Sequence, residues 1–131
     1  MEALDPVPHK GHVLAVDDCP AMRELMRASL ERLGYRVQAV DSGWAALQAV
    51  EDEAFDAIVL AVERPGMDGR ATGHALRRAP KAAAAMIAMH SSLAEAEVRM
   101  GFAHYDAFVP KSGSPLALGE QVDGWLSSRR T

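Results

Sequence analysis

Residues 54–69 read AFDAIVLAVERPGMDG, and the fold of the chain follows from this stretch. Its central part, residues 58–62 (IVLAV), is a continuous apolar run rich in β-branched residues. Such a run is typical of a central parallel strand, because a strand with one wet face would alternate polar and apolar side chains. Residues 63–69 (ERPGMDG) then carry the Pro and Gly signals of a turn. Open α/β sheets place their sites beyond the carboxyl ends of strands, so we expect a functional site at this loop.

The rest of the chain alternates between strand and helix patterns on both sides of that central strand. Strands are predicted at residues 12–16, 35–40, 55–62, 85–89 and 107–109. Helices are predicted from 20 to 33, from the cap at Asp41 or Ser42 through Val50, at 71–78, at 93–101 and from 114 onward. This alternation predicts a doubly wound α/β fold, a five-stranded parallel sheet with five helices of the flavodoxin-like (β/α)5 type. We assign residues 12–127 to the domain, 1–11 to a lead-in or linker and 128–131 to a C-terminal tail.

Three helices carry more specific signals. The first has apolar residues at spacings of three and four, which predict one buried face, and Gly34 is expected to end it: Met22, Leu25, Met26, Leu30 and Leu33. Ser92 and Glu95 match a capping box, which predicts a helix that starts at Leu93. The last helix is expected to face inward with Leu118, Val122, Trp125 and Leu126.

Composition limits the classes of function. The chain has 131 residues and a net charge of −4, so it forms one compact domain and does not attract nucleic acid or an anionic membrane. Its single cysteine, Cys19, excludes an internal disulfide and is consistent with the reducing cytoplasm. No apolar stretch has the ~18 residues of a membrane span, and residues 1–11 lack the apolar core of a secretory signal. We therefore expect a cytoplasmic protein that binds neither DNA nor membrane.

Three motifs carry a family resemblance: VDD at residues 16–18, PGMDG at 65–69 and FVPK at 108–111, each near the end of a predicted strand. Together they resemble the response-regulator receiver domain, the CheY-like family. The resemblance implies that Asp17 and Asp18 hold Mg²⁺ with a phosphoacceptor aspartate, and that Lys111 pairs with the phosphoryl group. It also implies a readout residue at His90 or Ser91, of which we favour His90. Phe108 matches the aromatic switch position of the fifth strand.

The acceptor position itself is Ala61 in this chain. An alanine has no oxygen that could attack a phosphoryl donor, so no acyl phosphate forms there. One oxygen ligand of the cation is lost as well, so no cofactor is required and Mg²⁺ is expected to bind weakly at most, with Glu63 as the further ligand to consider. Lys111 can instead neutralise Asp17 and Asp18 in a static cluster. His90 is a pH-sensitive group, a phosphoryl-accepting group or a polar residue without a role.

These residues predict a pseudo-receiver, a non-enzymatic and phosphorylation-independent protein-interaction module of bacterial two-component or chemotaxis signalling. The resemblance implies a partner surface on the fourth helix, the fifth strand and the fifth helix, which also allows a homodimer: Glu95, Arg99, His104, Tyr105 and Phe108. Its partner would be a histidine kinase, a chemotaxis protein or another signalling protein. Two alternatives stay open. Ala61 could replace the acceptor of a working receiver by engineering, or the arginine pairs 77–78 and 129–130 could bind a cyclic dinucleotide.

Overall fold

The protein is described by a computed structural model that covers residues 10–61, 63–64 and 67–129, with the backbone alone at 63–64, 67–68 and 115. The helices and strands are, in chain order, β1 (His12–Val16), α1 (Pro20–Glu31), β2 (Arg36–Val40), α2 (Gly43–Asp52), β3 (Ala57–Ala61), β4 (Glu63–Arg64), β5 (Met67–Asp68), α3 (Gly69–Arg78), β6 (Met86–Ser91), α4 (Glu95–Gly101), β7 (Ala107–Pro110) and α5 (Pro115–Arg129). Five strands form one sheet in the order β2-β1-β3-β6-β7, and all neighbours in it are parallel. The predicted doubly wound (β/α)5 fold is confirmed.

Helices cover both faces of the sheet, which explains why the central strand has no polar side. Ile58 and Leu60 belong to the apolar core that packs against α2, α3 and α4. Val59, between them, belongs to a second core with α1 and α5. All five residues of β3 are buried. In the part of the chain that the structure describes, no helix is both long and apolar enough to cross a membrane.

Two aspartates fix the strand register at the amino edge of the sheet. Asp56 precedes β3, and its Oδ2 accepts a hydrogen bond of 2.8 Å from the backbone N–H of His12 at the start of β1. Asp106 precedes β7, and its Oδ2 accepts one of 2.8 Å from the N–H of Ile87 on β6. Because a strand that slips by one residue turns its side chains to the other face, these contacts also align the residues at the opposite, carboxyl edge.

The structure corrects several predicted boundaries. The 63–69 segment is not only a turn, since β4 and β5 pair antiparallel within it. β3 ends at Ala61, and Val62, the predicted last residue, lies outside the described residues. The alanine run before β6 forms turns, with Ala85 N–H bonded to Ala82 O at 3.0 Å, so β6 starts one residue later than predicted and runs on to Ser91. The last helix reaches Arg129, two residues into the segment assigned to the tail.

The helix signals gave mixed results. Gly34 has the positive φ of 101° expected of a glycine after a helix, but α1 ends at Glu31 with Arg32 as its C-cap, so the helix is two residues shorter than predicted. Leu25 is 45% exposed, so its assignment to the buried face was wrong. The capping box was also wrong, because α4 begins at Glu95 after Ala94, which makes no side-chain cap. On α5, the inward face is confirmed by buried Leu118, Val122 and Leu126 and partly buried Trp125.

Candidate functional site

The sheet register brings the predicted site residues to one edge. Val16 is level with Leu60, so Asp17 comes level with Ala61 one step further along. Ala61 is in turn level with His90. The carboxyl ends of β1, β3 and β6 therefore place Asp17, Ala61 and His90 in one row across three neighbouring strands.

Asp17 and Lys111 form an ion pair over this row. Asp17 is fully buried, and Lys111 Nζ lies 3.5 Å from its Oδ2. The other oxygen, Oδ1, accepts a hydrogen bond of 2.9 Å from the N–H of Cys19, and Arg23 Nη1 donates to the Asp17 carbonyl at 2.9 Å. The lysine side chain is itself only 14% exposed. A buried carboxylate is costly unless an opposite charge and hydrogen bonds accompany it, and Asp17 has both.

Ser91 and His90 have different surroundings at the end of β6. Ser91 Oγ accepts from the N–H of Leu93 at 2.9 Å, and the Ser91 carbonyl accepts from the N–H of Lys111 at 2.8 Å. Ser91 thus shapes the turn toward α4 and holds the residue after β7. His90, by register, is the neighbour of Ala61, and it is 5% exposed.

The structure describes only part of the expected donor set for a divalent cation. Within residues 10–61, 63–64 and 67–129, no group of three or more His, Cys, Asp or Glu side chains is placed to hold a metal ion. The Lys111 ammonium group lies 3.5 Å from Asp17 Oδ2. Asp18 is partly buried beside it, and the Glu63 side chain lies outside the described atoms. Weak Mg²⁺ binding stays a prediction.

Comparison with known proteins gives the family. Residues 13–123 match the family model described as the response regulator receiver domain. The chain belongs to this receiver-domain family. It is 48% identical over 66 residues to the sensor histidine kinase GacS of Pseudomonas protegens, which is 50% of this chain and 7% of the kinase. It is 35% identical over 115 residues to the transcriptional activator PfeR of Pseudomonas aeruginosa, which is 87% of this chain and 37% of PfeR. The chain thus spans well under half of either relative.

Solved structures agree with this assignment. The chemotaxis response regulator CheY4 of Vibrio cholerae superposes with a TM-score of 0.78 at 25% identity, over 86% of this chain and 95% of CheY4. The regulator TrrA of Thermotoga maritima, solved with Mg²⁺ and BeF, gives a TM-score of 0.75 at 27% identity, over 86% of this chain and 96% of TrrA. The chain therefore has the receiver fold from β1 to α5.

On the α4 side of the receiver domain, three predicted surface residues form one cluster. Tyr105 Oη donates to Glu95 Oε2 at 2.6 Å, and Arg99 Nη2 donates to the same oxygen at 2.9 Å. The Arg99 guanidinium also lies over the Tyr105 ring, 5.3 Å from its centroid. Burial of the phenol and then the Glu95 hydrogen bond raise the pKa of Tyr105 to about 12. We call Glu95, Arg99 and Tyr105 the α4 cluster.

Two more residues of the predicted surface lie near this cluster, and sequence reasoning missed a third. His104 is exposed and Phe108 is partly buried against the core. Met100 is 89% exposed on α4, although Val98 on the same helix is fully buried. The sequence did contain a signal for this exposure. Met100 is two residues after Val98, and side chains two residues apart point to different sides of a helix.

Arg77 has a structural role in this receiver domain. Its guanidinium donates to four acceptors, at 2.8 Å to His104 O, 2.8 Å to Ala85 O, 3.3 Å to Ala83 O and 2.9 Å to Asp106 Oδ2. It therefore joins α3 to the segments before β6 and β7. The N–H donors of a guanidinium held in this way are already used within the domain, which disfavours their use in binding a cyclic dinucleotide. Of the second arginine pair, Arg129 donates to Ala84 O at 3.1 Å, and residue 130 lies outside the described residues.

Proposed function

We propose that this receiver domain is a phosphorylation-independent protein-interaction module of two-component signalling. The residue that supports the proposal is Ala61, which is fully buried at the end of β3. The motif resemblance implies that this is the position at which the family accepts the phosphoryl group. Ala61 has no carboxylate, so this position has no nucleophile for the transfer. We accordingly propose that it has no enzymatic activity of its own and no required cofactor.

The charge balance of the edge supports a static site. Lys111 and the buried Asp17 carboxylate form a pair without a third charged group at position 61. Because Lys111 is paired with Asp17, its ammonium group is less available to pair with a phosphoryl group. This contact involves neither metal nor phosphate, which supports the proposal of a static edge.

The surface that we propose for partner binding is the α4 cluster with its neighbours His104, Phe108 and Met100. Tyr, Arg and Met are enriched where proteins bind each other, and an exposed Met adapts to different partner shapes. We propose a signalling protein of the histidine-kinase class or its associates as the partner, in the cytoplasm. The alternative partner for this surface is a second copy of the chain, which would form a homodimer through α4, β7 and α5.

The direct test is incubation with acetyl phosphate and Mg²⁺, followed by intact-mass measurement. We expect no phosphoryl adduct on this chain, while a receiver with an intact acceptor aspartate gains one under the same conditions. A stoichiometric adduct would disprove the proposal. Mg²⁺ at about 10 mM should also raise the melting temperature little, because stabilisation by a ligand grows as RT ln(1 + [L]/Kd) and Ala61 offers no oxygen ligand.

Partner binding tests the surface. A pull-down with this chain as bait identifies the partner, and the affinity of that partner should be equal with and without acetyl phosphate. Tyr105→Ala should weaken binding at least tenfold if the α4 cluster is central to the interface. Trp44→Ala is the matched control, because Trp44 is a 72% exposed aromatic on α2, away from α4. Equal effects of both substitutions would exclude the α4 surface.

A further inference from the structure

The Lys111–Asp17 contact spans the middle of the sheet edge. Lys111 follows β7 and Asp17 follows β1, and the strand order places β6 and β3 between them. Neighbouring strands lie about 4.8 Å apart. A lysine that reaches Asp17 from β7 therefore passes over the ends of β6 and β3, where His90 and Ala61 lie.

His90 occupies the position next to the missing carboxylate. Residues that are level on adjacent parallel strands point to the same face, so the imidazole and the Ala61 methyl lie on one side of the sheet. His90 is 5% exposed and Ala61 is fully buried. Because protein interiors are closely packed, a large ring beside a small methyl takes up space that a longer side chain at position 61 would need.

We propose that His90 seals the acceptor position, so that restoring a carboxylate at residue 61 alone does not restore phosphoacceptance. This inference rests on the proposed function of the edge as an inactive site. In the transfer from acetyl phosphate, a carboxylate oxygen bonds to phosphorus while the bond to acetate breaks and acetate leaves with its electrons. That attack requires the donor to approach in line with the carboxylate. The imidazole and the lysine stem block this approach.

Three variants test the seal with acetyl phosphate, Mg²⁺ and intact-mass measurement: Ala61→Asp, His90→Ser and the double variant. We expect no adduct on either single variant and an adduct on the double variant. Labelling of Ala61→Asp to the same extent as the double variant overturns the seal, and so does a double variant that stays unlabelled. Labelling of the unchanged chain would instead refute the proposed function, so the two failures are distinguishable.

A second experiment does not depend on an added charge. Ala61→Cys introduces a small thiol, and its alkylation by iodoacetamide is followed by peptide mass spectrometry in a Cys19→Ser background. We expect alkylation to be at least tenfold faster when His90→Ser is combined with Ala61→Cys. His104→Ser, a change of the same type at an exposed histidine, is the matched control and should leave the rate unchanged. Equal rates with and without the ring at position 90 would overturn the proposal even if the aspartate variants failed to fold.

Discussion

Arg77→Ala should destabilise the domain far more than the same change at the next residue. The substitution removes hydrogen bonds to three backbone carbonyls and to Asp106 Oδ2, the oxygen that also accepts from Ile87 N–H. In the Arg77–Asp106 ion pair the arginine side chain is 23% exposed and the aspartate side chain is 46% exposed. Water can therefore replace part of the hydrogen bonding that the substitution removes.

The magnitude follows from these contacts. Hydrogen bonds that involve a charged group each contribute about 1.5–3 kcal/mol, whereas a solvent-exposed ion pair contributes only about 0–1 kcal/mol. With partial rehydration of the carbonyls, we expect Arg77→Ala to lower the free energy of unfolding by about 2–4 kcal/mol. For a domain of this size, that change lowers the melting temperature by about 8–15 °C.

Urea and thermal denaturation followed by circular dichroism measure this effect. Arg78→Ala is the control, because Arg78 is exposed on the same helix and should change the stability by less than about 0.5 kcal/mol. Arg77→Lys should fall between the two, since an ammonium group keeps the charge but not the planar fork. Hydrogen exchange of residues 102–106 should also rise in Arg77→Ala. Equal stability of the Arg77 and Arg78 variants, or unchanged exchange, would refute the reasoning.

Three further expectations concern single positions. Gly73→Ala on α3 would place a Cβ 2.7 Å from the Phe102 ring and should cost about 1–3 kcal/mol of unfolding free energy, measured by urea titration. A fully stable variant would show that the ring can move aside. Ser42→Ala removes the hydroxyl that caps α2 by accepting from Ala45 N–H at 3.0 Å, and should cost about 1 kcal/mol in the same assay. Tyr105 should ionise near pH 12 rather than at its ordinary 10.0, as ultraviolet absorbance of the phenolate reports. Because the folded state raises this pKa, the stabilisation is present below pH 10 and is lost as the pH rises from 10 to 12. Tyr105→Phe should remove that pH dependence.

The sequence by itself determined the fold and the edge of the sheet at which the candidate site lies. Apolar runs and helical spacings are local properties, so they identified the alternating elements, and the topology of such an alternation leaves one parallel sheet. Asp17 and Lys111 follow strands, Ala61 ends β3, and His90 follows the predicted strand 85–89, which predicts their arrival at one edge. The predictions that were wrong also concerned local patterns. Leu25 matches the helical spacing but lies outside the stripe that the sheet covers, and Ser92 matches a capping pattern where α4 starts too late to use it.

Tertiary structure decided which of these residues contact each other. Helical and strand periods give the direction of a side chain but not its partner across the sheet, because the register depends on packing along whole strands. The sequence predicted that Lys111 could neutralise Asp17, but only the fold gave the 3.5 Å contact to Asp17 Oδ2 and the level positions of His90 and Ala61. The same holds for Arg77, whose neighbour Arg78 has the same chemistry in the sequence. What separates the two is that the Arg77 guanidinium lies against carbonyls from two segments, before β6 and before β7, whereas Arg78 is exposed.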